Sequence, residues 1–72
     1  MTSPTELLLA EGYKITSDVK TSDGSLRVQK IEKGNKCYAV VHVAGKLPEA
    51  MTWLEYLRRF FSLIAEAGRA TQ

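Results

Sequence analysis

The sequence predicts an α+β fold of order α-β-β-β-α, a three-stranded antiparallel meander packed against a long C-terminal helix. Three observations predict it. Apolar and polar residues alternate with period two from Tyr13 into the forties. Two turn signals, Asp23-Gly24 and Gly34-Asn35, cut that alternation into three strands. From Pro48 onward the apolar spacing becomes helical and stays so to Ala67.

The first element is a short helix over residues 4–11. Ser3-Pro4-Thr5-Glu6 supplies a serine N-cap, a proline at the first helical position and a glutamate at the third, which together make a capping box. Gly12 suits the left-handed position that closes such a helix. Strands follow at about 13–21, 25–33 and 36–44. In the first, Tyr13, Ile15 and Val19 alternate with Lys14, Thr16, Asp18 and Lys20.

A two-residue turn at Asp23-Gly24 pairs Val19 with Val28, Thr21 with Leu26 and Lys20 with Arg27. A type II′ turn at Gly34-Asn35 pairs Val28 with Val41, Leu26 with Val43, Ile31 with Tyr38 and Arg27 with His42. The two registers come from turn chemistry alone, and both put Val19, Val28 and Val41 in one row. Directly paired residues share a face, and a one-residue slip at either turn would destroy the agreement.

Gly45-Lys46-Leu47-Pro48 ends the third strand. Pro48 can open a helix, with Glu49 favourable in its first turn, so the last helix is expected over 48–67 with Gly68 as its stop and Arg69 to Gln72 as a frayed tail. Trp53, Leu54, Tyr56, Leu57, Phe60, Phe61, Leu63 and Ile64 cover about half of its circumference at ~100° per residue. A surface helix needs an apolar stripe of only ~100°. Two outcomes are open. The sheet and the first helix, through Leu7, Leu8 or Leu9, bury the whole arc; or Tyr56, Leu63 and Phe60 stay outside and meet a second copy or another protein. The candidate partner or dimer interface is therefore Trp53, Tyr56, Leu57, Phe60, Leu63 and Ile64.

With 72 residues the chain has room for one domain, 1–72, with a thin core. Chains this short lean on disulfides, metals or self-association. Cys37 is the only cysteine and His42 the only histidine, which excludes an internal disulfide and makes a zinc site untenable. No cofactor is expected. A net charge of +2 is too small for nucleic-acid binding by charge alone. No apolar run can span a membrane, and Leu7-Leu8-Leu9-Ala10 is too short for a signal-peptide core. The expectation is a cytoplasmic protein and a complete small reading frame starting at Met1.

Catalysis finds little support. Cys37 and His42 stand five residues apart on one strand, and an odd offset puts them on opposite faces. Cys37 reads as a small buried hydrophobe. The carboxylates show no paired spacing, and the glycines sit singly at turns and helix ends, so no loop cradles a phosphate. The polar sheet face is the remaining candidate. Lys14, Lys20, Arg27, Gln29, Tyr38 and His42 are its contact residues, around an apolar strip of Ile31, Val40 and Tyr38. Arg and Gln can read base edges while Lys meets phosphates, although Asp18 stands among them. The same face can instead bind protein, lie open to solvent or be covered by the first helix.

In element order alone the chain resembles double-stranded-RNA-binding domains. Those open their second helix with lysines, and Leu47-Pro48-Glu49-Ala50-Met51 holds no lysine cluster, so their function is not implied. The three-stranded sheet with a packed helix is similar, again in outline, to the arm-binding domains of phage integrases. The expectation is a non-enzymatic, self-associating module that acts by protein–protein contact, as accessory or inhibitory proteins of phages and mobile elements do. The alternative is a DNA-binding or regulatory protein that uses the polar sheet face.

Overall fold

The computed structural model describes residues 3–70, with the side chain of Ala70 left aside. Its elements are α1 (Pro4–Ala10), β1 (Lys14–Lys20), β2 (Leu26–Lys33), β3 (Lys36–Val43), β4 (Glu49–Thr52) and α2 (Trp53–Ala70). The sheet is antiparallel throughout, in the order β1-β2-β3-β4. The α+β class and the packing of the long C-terminal helix on the sheet stand as predicted. The predicted three-stranded count does not, because the segment expected to open the helix is a fourth strand.

Pro48 does not start α2. Residues 49–52 pair with β3, setting Met51 beside Ala39 and Ala50 beside Val40. Met51 is thereby buried in the core, a contact that a helical turn from Pro48 would forfeit. The helix begins one residue after Thr52, whose hydroxyl accepts the Glu55 backbone N–H at 3.2 Å. Thr52-Trp53-Leu54-Glu55 has the capping-box sequence. The added strand also removes the likeness in element order to double-stranded-RNA-binding domains. At its other end α2 runs through Gly68 to Ala70, past the predicted stop. The rest of the predicted frayed tail, residues 71–72, lies outside the described residues.

The N-terminal helix is capped as the sequence implied, with the Ser3 hydroxyl accepting the Glu6 N–H at 3.2 Å. Gly12, at φ +96°, turns the chain into β1 while the Tyr13 N–H reaches back to the Leu8 carbonyl. Every pairing inferred from the two turns is present: Val19 with Val28, Lys20 with Arg27, Leu26 with Val43, Val28 with Val41, Ile31 with Tyr38 and Arg27 with His42, and Thr21 with Leu26 through its N–H. Gly34 at φ +60° makes the expected turn between Lys33 and Lys36. The Asp23-Gly24 turn differs. Only Gly24 has positive φ, so a two-residue type I′ turn is ruled out. A looser connection forms, held by the Gly24 N–H on the Thr21 carbonyl and by the Asp23 carboxylate, which accepts from the Ser25 N–H and from the Thr21 and Ser25 hydroxyls.

The main departure from the predicted faces is a bulge in β1. Ile15 pairs with Ile31 and Ser17 with Lys30, leaving Thr16 as the extra residue. Beyond it the faces exchange. Tyr13 and Ile15 move to the side of Ile31, and Lys14 moves off it. Without the bulge Lys14 would point into the apolar cluster there, and Tyr13 would point away from it.

The sheet therefore has an apolar patch on each side. On one, Leu26, Val28, Ala39, Val41, Val43 and Met51 pack against Tyr56, Leu63 and Ala67 of α2, with Trp53 alongside. On the other, Tyr13, Ile31 and Val40 form a smaller cluster with Leu8 and Tyr38. Of the two open outcomes, the one in which α1 covers part of the α2 arc is thus not realised. Leu8 packs on the opposite side of the sheet, because the bulge builds an apolar site for it there.

Candidate functional site

The polar sheet face is a closed hydrogen-bond network. Arg27 grips Asp18 with two donors, Nε at 2.9 Å from Oδ1 and Nη2 on Oδ2. Gln29, almost fully buried, donates Nε2 to Asp18 at 3.3 Å. Its Oε1 accepts the Thr5 hydroxyl at 2.7 Å and faces His42 Nε2 at 3.1 Å. The Arg27 hydrogen bonds hold the Asp18 carboxyl down at about 2. Burial, then the Arg27 charge, push the His42 pKa below its usual value, so His42 is neutral at pH 7. Its ring is therefore fitted to Gln29 as a neutral hydrogen-bonding group.

Of the six residues predicted for this face, three come together here: Arg27, Gln29 and His42. Tyr38 packs under α1, edge to face with Tyr13 at 5.6 Å between centroids. Lys20 is exposed at the strand end next to Arg27. Lys14 is a correction, since the bulge pairs it with Glu32 on the other face of the sheet. The donors that would read base edges are engaged within the network, and the first helix is fastened over its margin through Thr5.

Cys37 and His42 lie on β3 at an odd offset and pair with Glu32 and Arg27 on opposite faces. Cys37 is half-buried, a correction to full burial, because it sits near the turn beyond the reach of α2. Burial, and next the charge of Glu32, raise its thiol pKa, which lowers its nucleophilicity. Among the described residues no group of three or more His, Cys, Asp or Glu is placed to hold a metal ion. No helix among them is long and apolar enough to cross a membrane.

The second surface is α2. Its predicted interface residues divide. Tyr56 and Leu63 are corrections: they are 8% and 2% exposed and belong to the core, Leu63 deep against the sheet. Trp53 is half-buried against the same core, with the Lys30 ammonium 4.7 Å from its ring centre. Leu57, Phe60 and Ile64 are exposed. Two further residues join them that the predicted interface omitted, Leu54 at 59% and Phe61 at 85% exposure. The spacing could have found them. Positions 53, 56, 60, 63 and 67 form one seven-residue repeat, and 54, 57, 61 and 64 form a second beside it. One helix can bury only one such stripe on a single sheet.

Position on the sheet decides which stripe is left out. The helix lies over β2, β3 and β4 and makes little contact with β1. On its β4 side, Arg59 bonds Glu49 at 2.9 Å. On its β1 side an apolar groove of about 220 Å³ opens between Val19, Leu26 and Val28 of the hairpin and Tyr56, Phe60 and Ile64 of the helix. Val19 shares its face with buried Val28 yet is 61% exposed, for want of anything above it. Comparison with known proteins returns no matching family model, no matching curated protein and no matching solved structure.

Proposed function

We propose that this chain is a non-enzymatic binding module that acts by protein–protein contact through the outer stripe of α2 and the groove beside β1. The observation that carries the reading is the continuity of that surface. Leu54, Leu57, Phe60, Phe61, Ile64 and Val19 are all exposed; Val19, Phe60 and Ile64 line one groove, and Leu54, Leu57 and Phe61 continue the helix side of it at helical spacing. At on the order of 200 Å² per large side chain, their exposed fractions leave roughly 700 Å² of apolar surface. That is just above the largest patch of a typical monomer, about 300–600 Å². No charged residue of α2 interrupts it, since Glu55, Arg58, Arg59 and Glu66 take the opposite arc of the helix; on the strand side Lys20 borders the groove.

The nucleic-acid alternative has less support, since Arg27 is held by Asp18 and Lys14 is turned away from Lys20. The test is affinity capture from the native host at low and at high salt, with the wild type compared with a Leu57→Asp/Phe61→Asp double variant. Partners retained by the wild type and lost by the double variant are expected. Capture that survives the double variant but is lost on Arg27→Ala or in high salt would move the function to the sheet face.

A further inference from the structure

We infer that the surface is filled by a second copy of the chain, its α2 lying parallel to the first in a layer between two outer sheets. The inference rests on the protein-contact reading above and names the partner.

The geometry of the vacancy points to a helix. At ~100° per residue, the exposed stripe (54, 57, 61, 64) is displaced by about a third of a turn from the buried one (56, 63, 67). The displacement is toward β1, since Tyr56, Phe60 and Ile64 face Val19 across the groove while Arg59 faces Glu49 on the other flank. The stripe therefore looks sideways, over the uncovered strand, rather than straight out to solvent. A body filling that space touches α2 on one side and Val19 beneath. Its own surface must be an apolar stripe with helical spacing. Among the described residues α2 alone presents one, because α1 has no fully buried residue and packs Leu8 on the other side of the sheet.

A two-fold axis makes the fit reciprocal. Leu57 and Ile64 lie nearest the axis. Phe61, the most exposed of the stripe at 85%, then reaches toward the partner's groove, and the partner's Phe61 toward this one. The sheets must lie on opposite sides of the helix pair. Were they on the same side, each β1 would occupy the space beneath the other helix. Opposite sides require the axis to run along the helices, which makes them parallel. The roughly 700 Å² of exposed apolar surface is most of the ~800 Å² that each partner gives a standard interface.

Sedimentation equilibrium of the purified chain at about 5–500 µM tests the inference. The expected result is a reversible approach to twice the 8.0 kDa chain mass. Phe61→Asp, and independently Leu54→Lys, should weaken dimerisation by about thirtyfold or more, as loss of an interface hot spot does, with unchanged far-UV circular dichroism. For orientation, Leu57→Cys and Ile64→Cys are made in a Cys37→Ala background. Parallel helices predict that each variant cross-links with itself on mild oxidation. Cross-links that form only when the two are mixed mean antiparallel helices and overturn the arrangement. A wild type that stays monomeric throughout overturns the second-copy inference. In that event the contact reading stands or falls separately, on whether the double variant loses its captured partners.

Discussion

Two small side chains fix the corners of the fold. Asp23 gathers three donors from Thr21 and Ser25 and is held down at about 2 by them, the Ser25 backbone N–H first. A carboxylate with a depressed pKa in the fold adds stability that is complete above its unfolded value near 3.8 and is lost as pH falls toward about 2. Asp18, clasped by Arg27, acts in the same window. Urea midpoints measured at pH 7 and at pH 2.5 should therefore fall further for the wild type than for Asp23→Ala, which starts lower and is flatter. His42 carries a smaller dependence at higher pH. Its folded pKa is lowered by burial, so its share of stability is complete above about 6.5 and declines as the pH drops toward the folded value. An NMR titration of the His42 ring checks this, and a midpoint above 6.5 would contradict it. Thr52→Ala removes the cap of α2 and should cost about 1 kcal/mol in a denaturation curve.

At the scale of elements, turn chemistry carried most of the information. Asp23-Gly24 and Gly34-Asn35 gave the right register for β1–β3 even though the first turn is not of the expected type, because register depends on which residues pair and not on how the loop is built. Two features stayed hidden, for physical reasons. The bulge at Thr16 falls where Thr16-Ser17-Asp18 interrupts the alternation, a break that one polar residue at an apolar position does not distinguish from an ordinary solvated strand, and it shows only in where Lys14 and Tyr13 find room. The four residues of β4 read equally well as a helix start, with Pro48 and Glu49 favouring that reading; burial of Met51 against Ala39 decides the matter, and that is tertiary. The Thr52-to-Glu55 capping box was a legible sign of the true start. In α2 the apolar excess was legible but its division was not, since choosing the buried stripe requires knowing that the helix stands away from β1. The division makes a sharp prediction for thermal or chemical denaturation of the dilute chain. Leu63→Ala should lose about 2–5 kcal/mol, whereas Phe61→Ser one turn-half away should stay within about 0.5 kcal/mol. The hold on α1 is lighter, resting on Leu8 and on Thr5 with Gln29. Leu8→Ala should speed hydrogen exchange at the Gly12 and Tyr13 amides, which bond to α1 carbonyls, ahead of any change in β2.

At the scale of the molecule, a sheet with helices on both sides is still incomplete. One helix covers most of one face, a two-turn helix fastens the other, and the strip above β1 is bare. The described residues hold no further element to lay there. Helix α2 carries one stripe for its own core and, in the proposed reading, a second for contact. If the second stripe joins two copies, folding and association are linked and stability rises with protein concentration. The direct measurement is the urea midpoint of the wild type and of Phe61→Asp over a hundredfold range of concentration. The expected midpoint climbs with concentration for the wild type and stays level for Phe61→Asp, the two curves meeting at high dilution. A wild-type midpoint that does not move, or a dilute Phe61→Asp as unstable as Leu63→Ala, would contradict it.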